Sequence, residues 1–291
     1  ATAVPPTHVY YVSSSSYKKA EITTSGTYTI ETIISSVTAG REIDAVSVDE
    51  DSEYIFGKEI ISAETDNRYL RRYSLDGTGG SDIIGWDTSP AFKLAAFSLA
   101  RIAKKIYCME VNTATNGYKI TRYDYSGTLE ATLFTDVDHS SSATGHGITV
   151  SPDELYVFWR SKKAADDNFY RYTIADDTET DIQDFTPDPE IGYDNGHDTY
   201  AIDPNIAQGI FANINNNIRT YAYPAGGNES TVSGSTITHA NKIVLDRSRS
   251  KFYTIEGSDL QDIQISDYDG TNVSVVVDDS VAIVDIDLGV N

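Results

Sequence analysis

Cysteine is all but missing from these 291 residues: Cys108 is the only one, so no disulfide can form within the chain. It sits in the apolar run Ile106-Tyr107-Cys108-Met109 and reads as core rather than as a catalytic thiol. Methionine also occurs once, as Met109, and the chain opens on Ala1-Thr2-Ala3-Val4-Pro5-Pro6 without an initiator. That opening leads us to expect a cleaved secretory signal and an extracellular or cell-surface location. No run of about eighteen apolar residues is present to span a membrane as a helix, so membrane insertion is not expected. Positive charge is scarce as well. Twenty-two Lys and Arg face forty-four Asp and Glu, a formal charge of −22, which repels nucleic-acid phosphates and anionic lipid and argues against polyanion partners. Gly-x-Ser-x-Gly, His-Glu-x-x-His and phosphate-binding glycine loops are all absent, and carboxylates are too numerous to single out a general acid and base.

What the chain does have is a repeat. Tyrosine followed four residues later by glycine, or by its counterpart, ends a polar-alternating strand in Arg72-Tyr73-Ser74-Leu75-Asp76-Gly77, Arg122-Tyr123-Asp124-Tyr125-Ser126-Gly127 and Arg171-Tyr172-Thr173-Ile174-Ala175-Asp176. Weaker copies at Ile22, Tyr221 and Ser266 give six anchors about fifty residues apart. Each period holds four strands. In the second they are 43–48, 53–58, 68–75 and 82–86, with the turn Asp49-Glu50-Asp51-Ser52; in the fourth they are 147–150, 155–160, 169–174 and 180–185, with the turn Ser151-Pro152-Asp153-Glu154. First strands of the fifth and sixth periods fall at 199–203 and 242–246. Residues 93–101 fit a helix by periodicity alone, and their place in the repeat makes them a strand.

The run 281–287 is a first strand with no second, and 8–12 is a second strand with no first. Together they complete one blade, so the expected fold is all-β: a single six-bladed β-propeller over 8–291, closed by the C-terminal strand and preceded by an extended arm over 1–7. Leu155-Tyr156-Val157-Phe158-Trp159, Phe252-Tyr253-Thr254-Ile255-Glu256 and Tyr73-Ser74-Leu75-Asp76-Gly77 resemble, over nearly the whole chain, the repeat of the YWTD propellers of the low-density-lipoprotein-receptor type. Here Phe-Gly, Phe-Trp or Ile-Glu replaces the Thr-Asp pair of that motif. The resemblance implies the architecture and leaves the ligand open.

Three of the five histidines, His146, His197 and His239, precede the first strands of successive periods, where a propeller gathers its loops at one mouth. With Asp194, Asp198 or Glu42 they form a candidate divalent-metal set of zinc or manganese type, which would serve a secreted hydrolase or lyase. The alternative is that they cap backbone groups. Asp267-Tyr268-Asp269-Gly270-Thr271-Asn272, Asp49-Glu50-Asp51 and Asp136-Val137-Asp138 offer calcium-type oxygens, although Asp-Gly is equally a hairpin signal and turn chemistry is the preferred reading. Tyr73, Tyr123, Tyr172 and Tyr221 are candidate binding residues, for another protein or a glycan, if they face outward; the alternative is packing between blades. The sequons Asn228-Glu229-Ser230 and Asn272-Val273-Ser274 suit a secreted chain. The functional expectation is an extracellular, non-enzymatic interaction or structural protein, for which self-assembly into a surface filament or coat is one form, with a metal-dependent secreted hydrolase or lyase and a glycan- or protein-binding lectin-like module as the other readings.

Overall fold

The computed structural model describes residues 5–22, 28–35, 37, 40–61, 64–86, 92–112, 117–136, 147–163, 166–176, 178–184, 200–214, 217–227, 229–232, 242–256 and 260–290. Its 24 strands form six four-stranded antiparallel sheets. Blade 1 contains β1 (His8–Ser13), β2 (Ser16–Glu21) and β3 (Ile30–Ile34). Blade 2 contains β4 (Arg41–Asp49), β5 (Tyr54–Ile61), β6 (Glu64–Ser74) and β7 (Ser81–Trp86). Blade 3 contains β8 (Phe92–Ala100), β9 (Lys105–Asn112), β10 (Tyr118–Asp124) and β11 (Leu129–Asp136). Blade 4 contains β12 (Ile148–Val150), β13 (Tyr156–Lys163), β14 (Asp166–Thr173) and β15 (Thr178–Asp184). Blade 5 contains β16 (Tyr200–Ile202), β17 (Ile210–Ile214), β18 (Asn217–Tyr221) and β19 (Ser230–Thr231). Blade 6 contains β20 (Ile243–Asp246), β21 (Lys251–Glu256), β22 (Asp262–Asp267) and β23 (Ser274–Asp278). The last strand, β24 (Ile283–Asp287), pairs with β1 and gives blade 1 the order β24-β1-β2-β3. This is the six-bladed β-propeller that the repeat predicts, with closure by the C-terminal strand. The ambiguous segment 93–101 is β8.

Contacts divide the chain into two compact units, one of 1–85, 216–218 and 232–291, the other of 86–215 and 219–231. In the first unit, Val9, Tyr11, Ile255, Ile263, Ile283 and Ile286 fill one core cluster, and Val12, Tyr17, Val46, Val48, Ile55 and Tyr73 another. In the second, Met109, Tyr118, Ile148, Val157, Trp159 and Tyr172 pack together. Second strands carry long buried runs, as in β9, where the six residues from Ile106 to Val111 are all buried, and in β1, β5 and β21. Alternation therefore fails there, because both faces of a blade are covered.

Two turn types repeat. Between third and fourth strands, Gly77, Gly127 and Gly270 adopt φ of +83°, +88° and +83°, and each donates its N–H to the carbonyl three residues back, on Ser74, Asp124 and Asp267. A left-handed position of this kind favours glycine, which explains the second half of the repeat motif. Between first and second strands, Glu53, Lys104, Glu154 and Ser250 hold φ near +55° without being glycine.

One anchor moves. The N–H groups of Leu75, Ile174 and Tyr268, each two residues past an anchor, donate to Glu53, Leu155 and Ser250; in blade 1 the same bond runs from Ile22 to Thr7. Ile22 is thus two residues late, and the blade 1 anchor is the buried Ala20. The predicted arm is also partly docked, since Pro6 is buried and its carbonyl accepts from Arg249 at 2.8 Å; residues 1–4 lie outside the described residues.

Gly57 is a close packing point between blades 1 and 2, because a Cβ there would run into the Tyr17 hydroxyl. Gly57→Ala is expected to cost about 1–3 kcal/mol of stability through overpacking, measured as a lowered urea midpoint at unchanged slope; an unchanged midpoint would show that Tyr17 moves aside freely.

Candidate functional site

The anchor tyrosines face inward. Tyr73, Tyr123, Tyr172 and Tyr221 are 6%, 8%, 4% and 2% exposed, so they pack in the cores of their blades rather than present a binding face. Two of them end on buried carboxylates. Tyr73 Oη donates to Glu59 Oε1 at 2.5 Å, and Tyr123 Oη donates to Glu110 Oε1 at 2.9 Å. Glu59 and Glu110 occupy the sixth position of their second strands, opposite a bulge in the first strand at Asp44 and Ala95 respectively.

Both carboxylates are supplied with donors. Glu59 accepts also from Arg41 at 3.2 Å and Tyr17 at 3.5 Å; Glu110 accepts from Thr121 at 2.5 Å and Trp86 Nε1 at 2.9 Å, and pairs with Lys119 at 3.0 Å. A buried charge costs several kcal/mol unless it is paired and hydrogen-bonded, and here the side-chain ring around each glutamate meets that need. Arg41 further forks onto Asp82 at 2.7 and 2.9 Å, and Arg71 joins the same carboxylate. The Arg41 and Arg71 bonds, with Arg41 foremost, hold Asp82 below the usual carboxylate range.

Arginines of the repeat do meet tyrosines, but mostly other ones. Arg72 lies 4.5 Å over Tyr54 and Arg171 lies 5.0 Å over Tyr156, each on the strand face opposite its neighbouring anchor. Arg71 does lie over an anchor, Tyr73, at 5.2 Å.

Where they are described, aspartates of the acidic stretches and of the Gly turns accept hydrogen bonds within their own turns. Asp76 Oδ1 accepts the N–H and hydroxyl of Thr78, Asp124 Oδ1 the N–H and hydroxyl of Ser126 and the N–H of Thr128, and Asp269 Oδ1 the N–H and hydroxyl of Thr271. Those bonds lower each aspartate from its ordinary value. Asp267 is taken up by Lys251 and Asn272. Asp49 accepts from Ser52 N at 3.1 Å. Among the described residues, no group of three or more His, Cys, Asp or Glu is placed to hold a metal ion. His146, His197, His239, Asp194 and Asp198 all lie outside the described residues, and Glu42 is exposed at the start of β4.

A feature that the sequence did not signal stands on the hairpin tips of the second unit. Ile102, Leu155 and Ile206, on the tips joining first and second strands in blades 3, 4 and 5, are 62%, 50% and 36% exposed. The tips are locked to one another. Glu154 accepts the N–H groups of Ile102 and Ala103 at 2.6 and 3.0 Å. Tyr223 donates its hydroxyl to Asp153 at 2.7 Å and its N–H to Ala207 at 3.0 Å, so the 4 and 5 tips are joined through it. Arg171 closes the edge with a 2.8 Å bond to the Pro224 carbonyl. Tip residues are usually polar; three aliphatic side chains held out on linked turns are not.

No protein-family model and no curated protein sequence matches the chain. Solved structures do. A chain of the nidogen/laminin complex is 11% identical with a TM-score of 0.70, covering 96% of this chain and 97% of that one. TolB from Acinetobacter baumannii is 12% identical with a TM-score of 0.66, and here the match takes in 96% of this chain but 65% of TolB. A putative 6-phosphogluconolactonase from Bacteroides fragilis follows at 11% identity and a TM-score of 0.56, covering 96% and 97%. The likeness is one of fold. It agrees with the architecture implied by the YWTD resemblance, and the differing names of the neighbours show how little that architecture says about function.

Two outcomes follow from the inward tyrosines. Burial first, then the contacts with Glu59 or Glu110, raises Tyr73 and Tyr123 well above the ordinary tyrosine range, and burial does the same for Tyr221 and Tyr253. A group raised in the folded state stabilises it below its unfolded value, about 10 for tyrosine, and that contribution is lost as pH rises. In an alkaline titration, tyrosinate absorbance from these residues is expected to appear together with loss of near-UV circular dichroism; ionisation of all twenty tyrosines near pH 10 with the fold intact would contradict their burial. Separately, Tyr123→Phe strips Glu110 of one donor and is expected to cost about 1–3 kcal/mol of unfolding free energy, read from denaturant titration. A loss of partner affinity at unchanged stability would instead make Tyr123 a binding residue.

Proposed function

We infer that the chain is a non-enzymatic, extracellular protein-interaction module whose partners include further copies of itself. One observation carries this reading: Glu59 and Glu110, with the anchor tyrosines Tyr73 and Tyr123, are engaged in internal bonds, while the second unit holds three large aliphatic side chains out on mutually locked tips. Such a scaffold suits a binding surface, since little ordering cost remains when rigid turns engage a partner. A propeller chain also occurs in the nidogen/laminin complex, an assembly of proteins. The extracellular location rests on the sequence, and the sequon residue Asn272 stands exposed on the turn before β23.

Sedimentation equilibrium over a wide concentration range tests the reading. The weight-average mass is expected to climb above the 31.9 kDa of one chain as concentration rises. A constant single-chain mass would remove self-association from the account.

A further inference from the structure

The outer edge strands of the blades differ in how they are guarded. In blades 1, 2 and 3 the second residue of the outer strand is acidic and is held by a base from the third strand: Glu31 by Lys19 at 3.1 Å, Asp82 by Arg71 at 2.9 Å and Glu130 by Arg122 at 3.1 Å. Charge of this kind keeps an unpaired edge from recruiting a foreign strand. In blade 6 the same position is Val275, 41% exposed, and its cross-strand partner is Gln264. A bulge interrupts the outer pairing of blade 6 as it does in blades 1 and 3, so the difference lies in charge. Three successive valines, 275–277, give β23 a strong strand propensity.

One end of that edge is already covered. The Tyr28 hydroxyl accepts the Asp278 N–H at 2.8 Å, and Asp278 is itself an exposed charge. The other end starts at Ser274, the exposed last residue of the sequon Asn272-Val273-Ser274. Asn272 is exposed and holds φ at +55°, a left-handed position that asparagine tolerates. Its carboxamide nitrogen carries two hydrogens. One donates to Asp267 Oδ2 at 2.5 Å, while the further contact of Nδ2, with Thr271 Oγ1 at 3.5 Å, is at the limit of a hydrogen bond. Replacing the second hydrogen therefore costs the turn little.

We propose that Asn272 is an N-glycosylation site whose oligosaccharide covers the uncharged end of the β23 edge. The donor is an oligosaccharide linked to a lipid diphosphate. In the transfer, Asn272 Nδ2 bonds to the anomeric carbon of the reducing-end sugar, and the bond from that carbon to the diphosphate oxygen breaks. The lipid diphosphate leaves with the electron pair, and Nδ2 gives up one proton to a base. The N–H that remains keeps the bond to Asp267, and the attached group is bulky and solubilising. The proposal rests on the extracellular location inferred above.

The test is peptide mapping of the protein isolated from its source. No Lys or Arg follows Lys251, so trypsin releases 252–291 as one peptide in which Asn272 belongs to the only sequon. That peptide is expected to be heavier by an oligosaccharide, and enzymatic deglycosylation should leave aspartate in place of Asn272. A bare peptide from a chain recovered outside the cell would overturn the glycan and leave the extracellular reading standing. A bare peptide from a chain recovered only inside the cell would overturn both. Edge cover is tested with Ser274→Ala secreted from a glycosylating host, which removes the sequon and keeps Asn272 in its turn, with urea unfolding to verify the fold. By light scattering it should aggregate several-fold faster than the glycosylated chain, and Ser274→Ala/Val275→Lys should return to the slow rate, because lysine guards the edge in place of the glycan. Equal rates for the glycosylated chain and Ser274→Ala would overturn the cover.

Discussion

The inner edge strand of a blade has N–H groups that no neighbouring strand pairs, and the structure depends on how these are met. β24 answers for blade 2. Asp285 Oδ2 accepts Val46 N at 2.8 Å, and Asp287 Oδ2 accepts Val48 N at 2.6 Å and the Ser47 hydroxyl at 3.0 Å. The acceptors are spaced two residues apart, as are the donors, so one strand's side chains substitute for a ladder on the next strand's edge. Hydrogen bonds to a charged acceptor contribute about 1.5–3 kcal/mol each. Asp285 is 1% exposed and is balanced by Lys242 at 3.1 Å, which draws blade 6 into the same contact. In the second unit Ser98 does the equivalent work for Val150 N at 3.1 Å, with a neutral hydroxyl. Edge strands that would otherwise invite foreign pairing are in this way closed by side chains.

The same logic explains where chemistry is spent. Glu59 and Glu110 each collect three or more donors from their own and adjoining strands. Tyr17 reaches Glu59 across Gly57, from β2 to the blade 2 core, which couples blade 1 to blade 2 through a polar contact as well as through Ile34, Val46 and Ile55. The tips have a backbone set by repeat geometry and side chains that differ from blade to blade: acidic at 50–53, aliphatic at 102, 155 and 206.

Much of the fold was legible because its signals are local. A left-handed glycine four residues past the anchor, an aspartate accepting N–H groups two residues on, and period-two alternation in third strands all declare themselves within a few positions. Blade 1 misled where its local signal is missing: Ala20 stands where blades 2 to 5 have tyrosine, and Ile22, two residues later, was the nearest bulky residue. The outward reading of Tyr73, Tyr123, Tyr172 and Tyr221 came from their arginine neighbours, yet alternation turns Arg72 and Arg171 to the other face. The glutamate partners lie 14 and 13 residues from Tyr73 and Tyr123, beyond any local pattern; a glutamate at the sixth position of the second strand in blades 2, 3 and 6, at Glu59, Glu110 and Glu256, was the available signal. Ile102, Leu155 and Ile206 look like scattered apolar residues until the turns are seen to be bonded together.

Amide hydrogen exchange at Val46 and Val48 probes the edge-closing carboxylates most directly. Side-chain closure of the inner edge predicts protection at both amides as high as at the ladder amides of β4 and β5, and its selective loss in Asp285→Ala/Asp287→Ala. Rapid exchange at Val46 and Val48 in the unaltered protein, with the rest of β4 protected, would contradict it.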